Sequence, residues 1–248
     1  MGDSSNSQLA AYKEILKVTT KHHTNDGSDE VNFKPLNEED KKFIEEALKE
    51  TIEKSDPVKL LEKTLSSIKE ASDKEAKLEL INDLIDIVGQ IDLATIFVKN
   101  YHGLDEIQYN LLNENDVDIL SCYITLLTTV TSNNIDVQDY ISKFNGEHNF
   151  LKLLLDHFIK NNNAPEKLRI QSLGSISAIV CHHKENFVNF LTLDGISILR
   201  KLSETEKTNN RFLTRIMYTL NSIGSSIPDI EPDYKKMFAS EFSFLCNL

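Results

Sequence analysis

The sequence predicts an all-α right-handed superhelix of stacked repeats, and three observations predict it. One apolar pattern recurs along the 248-residue chain at successive offsets of 43, 49 and 44 residues. A glycine closes three of the copies, at Gly103, Gly146 and Gly195, and Ala239 stands in that column of the fourth. The composition suits helices, because 8 Gly, 5 Pro and no Trp leave little for a turn-rich β protein. Units that cannot bury an apolar face alone must stack on one another. A stack of this kind makes a long concave surface, so a binding protein is expected and not an enzyme.

The columns run through all four copies. The first holds Ile81, Leu84, Ile87, Val98 and Tyr101, and the second Ile124, Leu127, Val130, Ile141 and Phe144. The third holds Leu173, Ile176, Ile179, Phe190 and Leu193, and the fourth Met217, Leu220, Ile223, Tyr234 and Met237. Their spacing predicts long helices near 73–89, 116–132, 165–182 and 208–224. Short helices follow near 92–101, 135–144, 184–193 and 230–238. After the glycine a further apolar run begins, as in Ile196, Ile198, Leu199 and Leu202. Glycine here is expected to end a helix in a left-handed conformation and let the next leave at a sharp angle. Periodicity alone also suits two-helix HEAT repeats. The glycine column favours the three-helix armadillo pattern, with about four repeats.

Two helices precede the repeats as an N-terminal cap. Asn37 is a good N-cap, and Glu38, Glu39 and Asp40 put negative charge in the first turn, where the helix dipole favours it. Phe43, Ile44, Ala47, Leu48 and Ile52 form the stripe of that helix. Asp56-Pro57 starts the second, with Asp as cap and Pro at the first helical position. Its stripe is Val58, Leu61, Leu65 and Ile68. Residues 1–34 are rich in Ser, Asn, Asp and Thr, with one short stripe of Leu9, Tyr12, Ile15 and Leu16. So polar a segment buries too little to offset its ordering entropy and is expected to be a disordered tail. The repeat domain is expected over 35–248.

Composition narrows the partners. A net charge of −12 and no Lys/Arg cluster exclude a nucleic-acid footprint. No stretch approaches the roughly 18 to 20 apolar residues of a membrane span, and the N-terminus lacks a signal-peptide pattern. Gly2 is followed by Asn6, where a myristoylation start needs Ser or Thr. Cys122, Cys181 and Cys246 are odd in number and have no paired spacing, so a reducing, cytoplasmic setting and free thiols are expected. No phosphate-binding glycine loop and no nucleophile elbow occur, so neither a cofactor nor catalysis is expected. His22-His23 and His182-His183 are adjacent pairs that point about 100° apart on a helix, and no metal site is expected.

The residues of the third copy carry a resemblance. Leu168-Arg169-Ile170-Gln171-Ser172-Leu173-Gly174-Ser175-Ile176, running on to Phe190-Leu191-Thr192-Leu193-Asp194-Gly195, resembles the armadillo-type nucleotide exchange factors of seventy-kilodalton heat-shock chaperones. This is the Fes/Sil/heat-shock-protein-binding-protein family. Leu36-Asn37-Glu38-Glu39-Asp40-Lys41-Lys42-Phe43 is similar to the motif that opens its domain in the plant-like cytosolic branch. Ile91-Asp92-Leu93-Ala94 is similar to its inner-turn motif, with Thr95 in place of Asn. Ile15-Leu16-Lys17-Val18 is similar to its N-terminal motif, with Val18 in place of an aromatic residue. The resemblance covers most of residues 9–224. It implies a co-chaperone that binds the ATPase domain of a cytosolic DnaK-type chaperone through its concave face and promotes ADP release. The expected state is a monomer.

In an armadillo solenoid the long helix of each unit lines the concave face, one turn away from the core columns. The partner-binding row is therefore expected at Glu79, Asn82 and Asp86, then Cys122, Thr125 and Thr129, then Gln171, Gly174 and Ala178, then Arg215, Tyr218 and Ser222. Carboxylates stand at one end and Arg with Tyr, common interface anchors, at the other. The family's turn motif adds Asp92 and Ala94 as partner-facing positions. The alternative is an armadillo adaptor reading an extended peptide, although the Trp and Asn ladders of such grooves are missing from these columns.

Overall fold

The structure, a computed structural model, describes residues 42, 46, 56–144, 149–205, 210–227 and 232–248. The expected tail at 1–34, the His22-His23 pair and Gly146 lie outside these residues. The chain divides into two units, Met1–Leu60 and Leu61–Leu248. In the first, Lys42 and Glu46 are helical, and the Asp56 carboxylate accepts the Val58 amide hydrogen at 3.0 Å, as its capping position predicts.

The described residues are all-helical, with no strand among them. Helix α1 runs Pro57–Glu70, and three-helix sets follow it. The first set is α2 (Lys74–Ile87), α3 (Ile91–Asn100) and α4 (Gly103–Asn113). The second is α5 (Val117–Thr131), α6 (Ile135–Lys143) and α7 (Phe150–Leu153), which continues as a wide π-type turn over Leu154–Ile159. The third is α8 (Glu166–Val180), α9 (Lys184–Thr192) and α10 (Gly195–Thr205). The fourth is α11 (Asn210–Ser225), α12 (Pro232–Met237) and α13 (Ala239–Leu245).

The caps explain why the chain breaks where it does. Asp73, Asp116, Asn134, Asn149 and His183 each accept a backbone N–H from the first turn they precede. Those amides would otherwise lack a partner.

Long helix packs on long helix in chain order, α2 on α5, α5 on α8 and α8 on α11. The short helices α3, α6 and α9 also touch in order, and the third helix of each set packs on the long helix of the next. The predicted columns fill the shared core: Ile81, Leu84, Ile124, Leu127, Val130, Leu173, Ile176, Ile179, Leu220 and Ile223 are all buried. Polar side chains pin the sets together. Gln138 on α6 donates to the carbonyls of Ala178 and Cys181 at 2.8 and 3.0 Å, and Asn186 on α9 donates to the Gln138 carbonyl at 3.0 Å. The Ala178 and Cys181 carbonyls lie at the open end of α8, where helix carbonyls lack an intrahelical partner.

Three expectations are corrected. Val88 and Ile216 are buried where the columns placed Ile87 and Met217, which are half-buried, so the core phase shifts by one residue at the end of α2 and within α11. Tyr101, Phe144 and Leu193 are half-buried, and Met237 is 72% exposed. The glycine column works through space and not through backbone angle. The left-handed residues are the preceding ones, His102 (φ 54°) and Asp194 (φ 56°), types that tolerate that region. Gly103 and Gly195 are the first residues of their helices, and a Cβ on them would come within 2.4 Å of the Phe97 ring or 2.2 Å of the Phe190 ring. The missing side chain lets an aromatic ring of the short helix close over the start of the third.

Candidate functional site

The row expected on the long helices is brought together side by side. On α2, Glu79, Asn82 and Asp86 are exposed. The Cys122 thiol on α5 lies 4.0 Å from Asn82 Oδ1. Further along, the Gln171 amide on α8 donates to Thr125 Oγ1 at 3.2 Å. The guanidinium of Arg215 on α11 lies over Gly174, with Nη2 2.7 Å from where a Cβ would stand. Asn82–Cys122, Thr125–Gln171 and Gly174–Arg215 thus link four consecutive long helices across one face. Thr129 and Ala178 are half-buried beside the row, Ser222 is exposed, and Tyr218 projects with 63% of its surface open. Ile170, Arg211 and Thr214 complete a shallow depression with Arg215 and Tyr218.

Two predicted positions are corrected. Ala94 is only 1% exposed and belongs to the shared core, so its methyl group does not face a partner. A bulky charged residue there would disrupt packing before it touched anything outside. Gly174 is buried under the Arg215 guanidinium, so Arg215 presents the surface at that point. Asp92 is exposed in the first turn of α3. Gln90 holds the N-cap position of α3.

Charge is organised along one edge of this face. Lys74 at the start of α2 reaches Asp116 at 2.8 Å and Asp118 at 3.2 Å, and Lys167 at the start of α8 reaches Asp118 at 3.4 Å. Lys74 holds the carboxyls of Asp116 and Asp118 below the usual carboxylate range, with Lys167 adding to the effect on Asp118. The same hydrogen bonds raise the Lys74 ammonium. Burial pushes the Cys122 thiol up, so this row cysteine is a poor nucleophile.

The sequence did not show the surroundings of His183. Its Nε2 stands 2.9 Å from Asp139 Oδ1, and its Nδ1 lies 3.7 Å from Glu185 while accepting the Asn186 amide hydrogen at 3.2 Å. These three side chains come within metal-ligand reach of one another. A ring whose Nδ1 accepts a backbone hydrogen bond carries its proton on Nε2, which donates to Asp139. Nδ1 thus caps α9, and Nε2 ties it to α6. Among the described residues the cysteines are free, Cys122 and Cys181 half-buried and Cys246 exposed, and no helix is long and apolar enough to cross a membrane.

No family model matches the chain. Among known proteins it is similar to one from Candida glabrata named Hsp70 nucleotide exchange factor FES1, at 22% identity over 164 residues. That alignment covers 62% of this chain and 55% of the relative, so the chain spans about half the length of the curated protein it matches.

Proposed function

We propose that this chain is a co-chaperone, an armadillo-type solenoid of about four units that promotes ADP release from a cytosolic seventy-kilodalton heat-shock chaperone. The observation that carries the reading is the similarity over 164 residues to a protein named as a nucleotide exchange factor for Hsp70. The linked row on α2, α5, α8 and α11 supports it with a continuous polar face of the kind a folded partner domain can sit on. In this reading the stacked long helices form the concave side, the domain begins near residue 35, and residues 1–34 are an appended tail. The chain acts as a monomer in the cytoplasm.

The physics asks for no catalytic group. A factor that binds the open, nucleotide-free ATPase domain more tightly than the closed one shifts that domain towards opening, and linkage then weakens its hold on ADP. Accelerating release by a hundredfold to a thousandfold takes about 2.7 to 4 kcal/mol of differential binding, within reach of an ordinary protein interface. Glu79 and Asp86 at one end of the row, with Arg215 and Tyr218 at the other, offer opposite charge to two parts of the partner. Asp92, Asn82, Thr125, Thr129, Gln171, Ala178 and Ser222 fill the surface between and beside them. The test is stopped-flow release of fluorescent ADP from a DnaK-type chaperone, with and without the full chain. Accelerated release is expected; unchanged release from every cytosolic chaperone tried would sink the reading.

A further inference from the structure

The same two columns tie the four long helices together at each junction, and the last junction is built differently. Cys122, Gln171 and Arg215 stand in one column and reach back to Asn82, Thr125 and Gly174 in the other. At the first two junctions the receiving side chain offers an oxygen. Asn82 Oδ1 lies 4.0 Å from the Cys122 thiol, and Thr125 Oγ1 accepts from Gln171 at 3.2 Å. At the third junction the receiver is a glycine. The Arg215 guanidinium takes the space a side chain would fill, with Nη2 2.7 Å and Cζ 3.8 Å from where a Cβ would stand. It finds no acceptor there.

The guanidinium is thus held in place without an anion. Among the described residues the Arg215 side chain makes no hydrogen bond or ion pair, and neither does that of Arg211 one turn before it. Asp and Glu number 39 against 27 Lys and Arg, yet these two neighbouring arginines have no carboxylate. The Arg215 Nε is closed off from solvent, whereas its two amino groups are not, so they are the donors it offers outward. Arg215 and the exposed Arg211 line a depression of about 390 Å³ that Ile170, Thr214 and Tyr218 complete, and no acidic residue lines it.

We propose, resting on the functional reading above, that Arg215 and Arg211 receive a carboxylate side chain of the chaperone's ATPase domain. Gly174 is the positioning residue of this contact. A guanidinium grips a carboxylate best through two parallel N–H···O bonds, which demand a fixed orientation. A free arginine side chain loses rotamer entropy when it takes that orientation, and one already seated loses less. The Gly174 hollow supplies the seat, while Ile170 and the Tyr218 ring stand ready to cover the aliphatic stem of the incoming acid. For the fold itself Gly174 is dispensable, because a mid-helix alanine is the better helix former. Its absent side chain matters for where Arg215 lies.

The experiment has two arms. In the first, without chaperone, the Arg215 Nε–H of the ¹⁵N-labelled full chain is identified by its loss in Arg215→Lys, and its exchange with water is measured. Gly174→Ala should speed that exchange at least about tenfold, because the added methyl group lifts the guanidinium out of its seat. In the second arm, calorimetry follows binding of the full chain to the nucleotide-free ATPase domain of a DnaK-type chaperone. Gly174→Ala, Arg211→Gln and Arg215→Lys should each weaken binding by about tenfold, while Gly174→Ala melts no lower than wild type. In an Arg215→Ala background Gly174→Ala should have no further effect on binding, an outcome that a general change of fold would not give. Among single Asp→Asn and Glu→Gln variants of the ATPase domain, one should lose about tenfold against the wild-type chain and nothing against Arg211→Gln/Arg215→Lys. The proposal alone is overturned if wild type binds and the folded Gly174→Ala and Arg211→Gln chains bind as tightly. Unchanged Arg215 exchange in Gly174→Ala, or no carboxylate of the domain coupled to the arginines, overturns it equally. Absence of wild-type binding to every cytosolic chaperone tried overturns the functional reading, and this proposal with it.

Discussion

The third and fourth helix sets share one sequence pattern and differ in how much of it they bury. In the third, Phe190 is fully buried on α9 and its ring fills the space over Gly195. In the fourth, the corresponding Tyr234 is half-buried, Ala239 is exposed, and α12 buries no residue. The reason lies in the neighbours. α8 is held between α5 and α11, whereas α11 has α8 on one side and its own α13 on the other. The pattern says which residues can enter a core, and the next unit decides how deeply they do.

That contrast is sharpest in the rings. Phe190→Ala should cost about 3–5 kcal/mol, because it empties a fully buried aromatic site. Tyr234→Ala should cost less than about 1 kcal/mol, as a change near the surface. Urea denaturation of the two variants measures the difference, and equal losses would break the comparison. Ile176→Ala and Leu127→Ala belong with the deep sites, at about 2–5 kcal/mol each.

Two glycines of the third set should respond with opposite signs. Gly195→Ala drives a methyl group into the Phe190 ring and should cost about 1–3 kcal/mol by overpacking. Gly174→Ala meets only the mobile end of Arg215 and relieves a mid-helix glycine, so a gain of about 0.5–1 kcal/mol is expected. Thermal melting of the pair separates a glycine that makes room from one that merely lies under a side chain.

The smallest effect concerns the charges that tie α8 to α5 and α2. Asp116 and Asp118 have lowered carboxyl pKa values, so their contribution is present above the unfolded value of about 3.9 and disappears as pH falls through the folded one. Lys74 is raised, so its share is complete below about 10.4 and is lost as pH rises through its folded value. All three groups are solvent-exposed, which keeps the effect small. Asp118→Asn should lower the melting temperature slightly at neutral pH. The difference from wild type should vanish in acid, once pH falls below the lowered carboxyl values, and in about 1 M salt.

Helix positions and most of the core were legible in the sequence because a 3.6-residue period repeated over four copies averages out local noise. The one-residue shifts to Val88 and Ile216 were not, since a gap-free overlay cannot follow a change of phase within a helix or at its end. Ala94 shows another limit: a methyl group fits either a core or a surface, and only the packing around Phe97 and Val98 places it inside. The glycine column marked the right place for the wrong reason, because a small residue in sequence does not say whether angle or room is required. Gly174 with Arg215, His183 with Asp139, and Tyr101 with Glu62 all meet through stacking between helices far apart in the chain. No local pattern announces such pairs.

The most direct test of the functional account compares ADP release from the chaperone with wild-type chain and with the Arg215→Ala/Tyr218→Ala variant. Both side chains stand outside the core columns, so melting should change by no more than about 2–4 °C. The account predicts that the variant, folded and at the same concentration, loses at least about tenfold of the acceleration, or about 1.4 kcal/mol of differential binding. Full acceleration by the folded variant, with the wild type active beside it, would contradict the placement of the grip on this row.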